Sequence, residues 1–292
     1  MLSQQILNGI GIGCTYALIA LGYNLMFGVL KIVNLAYGEI FMVSSFAALL
    51  CITFLSANPL IVIIVAIAAA VLVGLLVHFL AVRPLGNVSD VNSPRHLSVI
   101  ISTLGASLVL QNLAVEISGA YPRRFPRLIP DLMHNIGGVN LDLALFVNLG
   151  IATFVMFSLL ILLRHTFFGL RIRALAENRD LALCSGIRTT RDELISVVIS
   201  SGLAGLAAVL ISQVIGTVSP QMGLSFGLKG LVVLIVGGLG NMYGAVLVAL
   251  LLGITEVLTV NYFSSSYRDA VAYALLVTLL IGREMLPKLK IR

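Results

Sequence analysis

The sequence predicts an all-α, polytopic integral membrane protein with about eight or nine membrane-embedded helices, some of them broken or re-entrant. Three observations carry this reading. Only 10% of the residues are charged, against about 25% in a soluble domain. The mean hydropathy is +1.09. The apolar residues gather in runs, separated by short polar breaks, near the length of about 20 residues that a helix needs to cross a bilayer. Residues 1–292 read as a single transmembrane domain, with no soluble domain and no long linker.

The first run, 6–30, has no basic region before it and no convincing small-residue cleavage site, so it reads as a membrane helix and not a removable signal. A short break at 31–34 precedes the second run, 35–55. Asn58 and Pro59 punctuate the chain before the third run, 60–82. A polar loop, 83–96, leads to the fourth run, 97–117. The stretch 118–141 carries Pro122, Pro126, Pro130, Gly137 and Gly138 and is too polar to span, so it reads as an external loop that folds over a mouth. The fifth run is 143–163. A basic break, 164–191, separates it from the sixth, 194–218.

The end is ambiguous. Runs 223–239 and 244–258 are short and meet at Gly240, Asn241, Met242 and Tyr243. They are either two thin crossings or a re-entrant pair, and broken glycine-rich helices are where transporters line cavities. A last run, 270–281, leads to a basic tail with Arg283, Lys288, Lys290 and Arg292.

The net charge of +6 sits mostly in the polar breaks and the tail, so it reports orientation and not nucleic-acid binding. Placing 83–96, 164–191 and the tail in the cytoplasm puts the N-terminus outside and the C-terminus inside. Arg123, Arg124 and Arg127, in the external loop, run against that rule.

The central break reads RHTFFGLRIRALAENRDLALCSGIRTTR. On a helix, Leu170, Ile172, Leu175, Leu181, Ala182 and Ile187 supply an apolar side, with arginines and Glu177 on the rest. Such a short amphipathic helix suits a partner's groove; the plainer reading is a solvated positive-inside loop.

Polar side chains at membrane depth are costly and face protein or water. Asn24, Asn34, Glu39, Gln111, Asn112, Glu116, Gln213 and Glu256 qualify, each with an alternative role in a helix-end or interhelical hydrogen bond. His78 reads as interfacial. Gly9/Gly13, Gly223/Gly227 and Gly240/Gly244 are spaced for close helix contact. The three cysteines, Cys14, Cys51 and Cys184, lack metal-ligand spacing. The stretch GGLGNMYG at 237–244 is not a dinucleotide fingerprint, and the chain has no P-loop, HExxH or GxSxG motif. An enzyme is poorly supported, and no cofactor site is expected in this chain.

Several stretches resemble one family together. They are YALIALG at 16–22, LMFGVL at 25–30, IVNLAYGE at 32–39, and RIRALAEN at 171–178 with Ala182, Gly186 and Ile187. Last come GLKG at 227–230, VGGLG at 236–240, Gly244, Ala245, Gly253 and Glu256. Over essentially the whole chain this resembles the LivH-type permease subunit of branched-chain amino acid ABC importers, in a wider group that includes ribose and urea permeases. Tyr37 departs from the His that is frequent in that family's Asn-(Phe/Leu)-Ala-His-Gly-Glu motif.

The resemblance implies a bacterial inner-membrane importer. Its partners would be a second, related permease subunit, two cytoplasmic P-loop ATPase subunits that use ATP and magnesium, and an extracytoplasmic solute-binding protein. Residues 171–187 would form a coupling helix seated in an ATPase groove. Arg171, Arg173, Glu177, Asn178, Ala182 and Gly186 are its expected contacts, the apolar stripe docking and the charges setting register. Asn34, Glu39, Gln111 and Asn112 are the expected polar lining of the pathway, with the break at Gly237, Gly238 and Gly240 facing the same cavity. Three alternatives stay open: a permease for urea, short amides or another small polar solute, an ATP-independent secondary transporter or channel, and a purely structural membrane subunit.

Overall fold

The computed structural model describes residues 2–55, 58–85, 94–126, 128, 133–136, 139–264 and 267–289. Arg127, Pro130, Gly137, Gly138, Lys290 and Arg292 lie outside the described residues, as does 86–93 of the polar loop.

The chain is helical because hydrocarbon offers no partner for backbone polar groups, so each spanning segment must bond within itself. The helices are α1 (Leu2–Leu30), α2 (Tyr37–Phe54), α3 (Pro59–Val77), α4 (Pro94–Ser118), α5 (Leu143–His165), α6 (Phe167–Glu177), α7 (Arg179–Cys184), α8 (Thr189–Ile215), α9 (Met222–Gly237), α10 (Met242–Tyr262) and α11 (Arg268–Leu289). Among the described residues, seven segments are long and apolar enough to cross a membrane: α1, α2, α3 with its extension to Leu85, α4, α5, α8 and α10. α9 is a shorter apolar helix, and α11 carries the last apolar run. The two short runs form the helices α9 and α10, joined by a turn, and α10, at 21 residues, is longer than its apolar run suggested.

Sequence punctuation works where it was expected. The Asn58 Oδ1 accepts from Leu60 N at 3.1 Å, with Pro59 in the first turn of α3. α3 then runs into a π-helical turn, His78–Val82. Between α4 and α5 the loop holds short strands: β1 (Arg123–Arg124), and β2 (Met133–Ile136) paired with β3 (Val139–Asp142). β1 pairs antiparallel with β4 (Thr217–Val218), tying this loop to the end of α8.

α1 and α8 are the most enclosed spans, while α4 and α5 lie at the periphery. α1 packs along α10, and α8 packs against α1, α2 and α3. Two of the three expected small-residue pairs lie in helix contacts, one between α1 and α10 and one between α9 and α2. A methyl on Gly13 would come within 2.8 Å of Leu250 Cα on α10, and one on Gly227 within 2.8 Å of Gly38 Cα on α2.

Candidate functional site

The basic breaks converge on one end of the bundle. Lys31 after α1, Arg83 after the π turn, and Glu177, Asn178, Arg179 and Asp180 between α6 and α7 line a common cleft of about 590 Å³. Arg164 donates to the Tyr243 hydroxyl at 2.9 Å, so the turn between α9 and α10 lies at this end too. Arg123 and Arg124, on β1 beside the far end of α8, lie at the opposite end.

The amphipathic segment is not one helix. Thr166 caps α6, its hydroxyl accepting from Gly169 N at 3.3 Å. Asn178 then caps α7, its Oδ1 accepting from Asp180 N at 3.0 Å and Leu181 N at 3.1 Å. Asn178 is therefore the break between two short helices. Gly186 ends α7 with φ +80°, and Ile187 N and Gly186 N donate to Ala182 O and Leu183 O at 3.1 and 3.0 Å. This is a Schellman turn with glycine at its left-handed position.

The face expected to dock is turned inward. Ile172, Leu175 and Ala182 are buried in the chain's own core. Arg171, expected to set register with a partner, ties α6 to the start of α8 instead, and Arg179 does the same for α7. Arg171 lies 3.6 Å from Asp192, and Arg179 lies 2.7 Å from Glu193. Arg173 donates to Gly169 O and Arg164 O, both at 3.4 Å. The burial has a physical cause: a short helix gains more by covering core than by waiting for a partner. The side left exposed carries Phe167, Leu170, Leu181 and Leu183, with Glu177, Asp180, Arg188 and Arg191.

In the interior, Asn34 and Glu39 are both buried, at 2% and 1% exposure. Asn34 holds the connection into α2: its Oδ1 accepts from Ala36 N at 3.0 Å and its Nδ2 faces Met26 Sδ at 3.7 Å. Glu39, in the first turn of α2, accepts from the Ser107 hydroxyl at 3.2 Å. Its other oxygen has no hydrogen-bond partner and abuts Gly223, where a side chain would strike the carboxylate. The first turns of α2 and α9 thus meet at Gly38, Gly223 and Gly227 with the Glu39 carboxylate between them. An anion beside the start of α9 is favoured by that helix's dipole.

The other expected lining residues are not gathered there. Gln111 lies one turn beyond Ser107 on α4 and is partly buried, whereas Asn112 is exposed and donates to Leu108 O on its own helix at 2.7 Å. Gly237, Gly238 and Gly240 sit at the far end of α9, about 20 Å from Gly223 at 1.5 Å per residue. There the turn packs on α1, with Gly240 N donating to Asn24 Oδ1 at 3.1 Å. The structure does not bring this break and Glu39 together, because they lie at opposite ends of α9.

Sequence reasoning also left a cluster incomplete. Lys229, 2% exposed, lies 2.5 Å from Glu256 Oε1 and 2.7 Å from Asp269. Glu256 Oε2 accepts from the Tyr16 hydroxyl at 2.6 Å and from Arg268 at 3.0 Å. Glu256 was singled out in the sequence, but its cation was not. The signal was present, because Lys229 is a lone charge inside run 223–239, and a charge at such a place needs a partner.

Comparison with known proteins decides the family. A family model described as the permease component of the branched-chain amino acid transport system matches residues 5–280. The chain belongs to this family. The permease is 31% identical over 292 residues to the high-affinity branched-chain amino acid transport system permease protein BraD of Pseudomonas aeruginosa, covering 96% of this chain and 93% of BraD. It is 32% identical over 290 residues to LivH of Escherichia coli K12, covering 95% and 92%. In fold it is similar to the solved structure of PsaBC from Streptococcus pneumoniae in complex with Fab, with a TM-score of 0.50, 12% identity and coverage of 93% and 89%.

Proposed function

We propose that this permease forms the translocation pathway for branched-chain amino acids in a binding-protein-dependent ABC importer of the bacterial cytoplasmic membrane. A second, related permease subunit completes the pathway. Two cytoplasmic ATPase subunits bind ATP and magnesium, and a solute-binding protein delivers substrate from outside. The end bearing α6 and α7 faces the cytoplasm.

The observation that carries this reading is the presentation of α6 and α7. They are anchored inward by Ile172, Leu175, Ala182 and the Arg171 and Arg179 pairs, and they leave Leu181, Leu183 and flanking charges outward. A secondary carrier has no need of such a braced, exposed knob. The anchoring supplies the mechanical link: because both helices are fastened to α8, a push from an ATPase reaches α8 and, through it, α1, α2 and α3. In the membrane interior, Glu39 and Asn34 serve the pathway where α2 and α9 meet. Only weak, transient contacts are needed there, since tight binding would slow release.

The test is affinity purification of the tagged chain in mild detergent, followed by reconstitution with whatever is retained. Recovery of a second permease chain and P-loop ATPases, with leucine uptake that needs ATP and a binding protein, is expected. Uptake by the chain alone without ATP would overturn the assignment in favour of a secondary carrier or channel. ATP-driven uptake of urea or a short amide but not leucine would move the substrate to the sibling class.

A further inference from the structure

We propose that Glu39 recognises the ammonium group of the transported solute. Its unpartnered Oε2 would accept from that ammonium as the solute passes between α2 and α9. The proposal rests on the transport reading and deepens it, because it fits the site to an amino acid and not to urea or a neutral amide.

The buried carboxylates are not treated alike. Among the described residues, Glu39, Asp192, Glu193 and Glu256 are buried. Three of them face a cation of the chain itself: Arg171 for Asp192, Arg179 for Glu193, and Lys229 with Arg268 for Glu256. Glu39 is as deeply buried as Glu256, yet its one donor is the neutral Ser107 hydroxyl at 3.2 Å. Among the described residues no cation pairs with it, and its Oε2 has no hydrogen-bond partner. An ionised carboxylate buried without a counter-charge is costly, and the dipole of α9 offsets only part of that cost. A cation that comes and goes would supply what the fold does not.

The position suits a passing solute. Glu39 lies in the first turn of α2, against the first turn of α9. α9 has 16 residues, fewer than the roughly 20 of a full crossing, and interrupted helices begin at solute sites in transporters. The two helices touch through Gly38, Gly223 and Gly227, so apart from the carboxylate no side chain interlocks there. A small separation of α2 from α9 therefore frees Oε2. Phe226 lies one turn on from Gly223 along the same side of α9, its ring 5.2 Å from that of Phe41 on α2. A solute with both an ammonium and an apolar side chain can meet the carboxylate and an aromatic wall together. Urea and amides donate hydrogen bonds but bring no charge, and would leave the carboxylate uncompensated.

The test uses the permease with its retained partners and its binding protein in proteoliposomes, with leucine uptake driven by ATP. Glu39→Gln keeps the shape and removes the charge; Glu39→Asp keeps the charge and changes the shape. Glu39→Gln is expected to lower uptake at least about tenfold, the scale of one charge-assisted hydrogen bond, and Glu39→Asp to lower it less. The unfolding temperature of the Glu39→Gln protein should equal or exceed that of the parent, since no partner inside the chain is lost. Uptake should also be indifferent to a protonophore and to replacement of sodium by choline. Wild-type uptake by the Glu39→Gln protein overturns the proposal, as does a greater loss in Glu39→Asp than in Glu39→Gln, which would mark a packing role. A fall with the protonophore or without sodium gives the counter-ion role to a proton or to sodium and overturns it too. A parent complex that moves no leucine is a failure of the transport reading and takes the proposal with it; a Glu39→Gln protein that moves leucine normally removes the proposal alone.

Discussion

Lys229 on α9 and Glu256 on α10 form a buried ion pair at 2.5 Å, and Glu256 is also the acceptor for Tyr16 of α1 and Arg268 of α11. One carboxylate thereby fastens four helices. Nearby rings add to the site, with the Lys229 ammonium 5.7 Å from the centre of Tyr16 and 5.6 Å from that of Phe226.

Removing this acceptor leaves the buried ammonium with the more exposed Asp269 carboxylate alone, at 2.7 Å. Glu256→Leu is expected to cost about 3–5 kcal/mol, read as a fall in the unfolding temperature in detergent. Adding Lys229→Met removes the poorly compensated charge and should recover part of the loss, whereas purely additive effects would show that the two residues do not act as a pair.

Glu39 and Gly223 form a second coupled pair. Gly223→Ala places a methyl on the Glu39 carboxylate, and overpacking of this kind costs about 1–3 kcal/mol. Folded yield should drop, and Glu39→Ala in the same chain should restore yield but not transport. Glu39→Gln keeps the shape, so loss of uptake at normal yield would separate a pathway role from a packing role.

The proposed coupling turn separates conformation from contact. No atom lies within 4 Å of a side chain placed on Gly186, but its φ is +80°. Gly186→Ala should therefore cost about 1 kcal/mol and loosen ATPase retention through the turn alone. Ala182→Leu disrupts the chain's own packing, because Ala182 is buried. Leu181→Asp, on the exposed side, should abolish ATPase retention in pull-downs while leaving the unfolding temperature unchanged.

Tyr37 fills space that Gly22 leaves. Its hydroxyl donates to Ser200 O at 2.7 Å, and a methyl on Gly22 would overlap that hydroxyl. Tyr37→Phe should cost about 1 kcal/mol. Gly22→Ala should be tolerated better in the Tyr37→Phe background than alone, as measured by unfolding temperature.

The all-α membrane class, the position of most spans and the basic breaks were legible in the sequence. Each depends on composition over a window of chain, and the bilayer imposes the same length and the same backbone satisfaction on every span. The family was legible for a similar reason, since its motifs are contiguous. Asn58 before Pro59 announced a helix start, because caps are local chemistry.

Only the tertiary structure decided which side of the amphipathic segment is free. Ile172 and Leu181 are both apolar, and periodicity cannot tell whether such a residue covers its own bundle or waits for a partner. Packing against the core buries the first and leaves the second exposed. The partners of Glu39 and Glu256 were equally out of reach, since Glu39 meets Ser107 and Gly223, and Glu256 meets Tyr16, 240 residues away. Run length and hydropathy report the energy of leaving water, which each residue contributes on its own. A buried charge is stable only through residues that the fold brings to it, and that depends on the arrangement of the whole bundle.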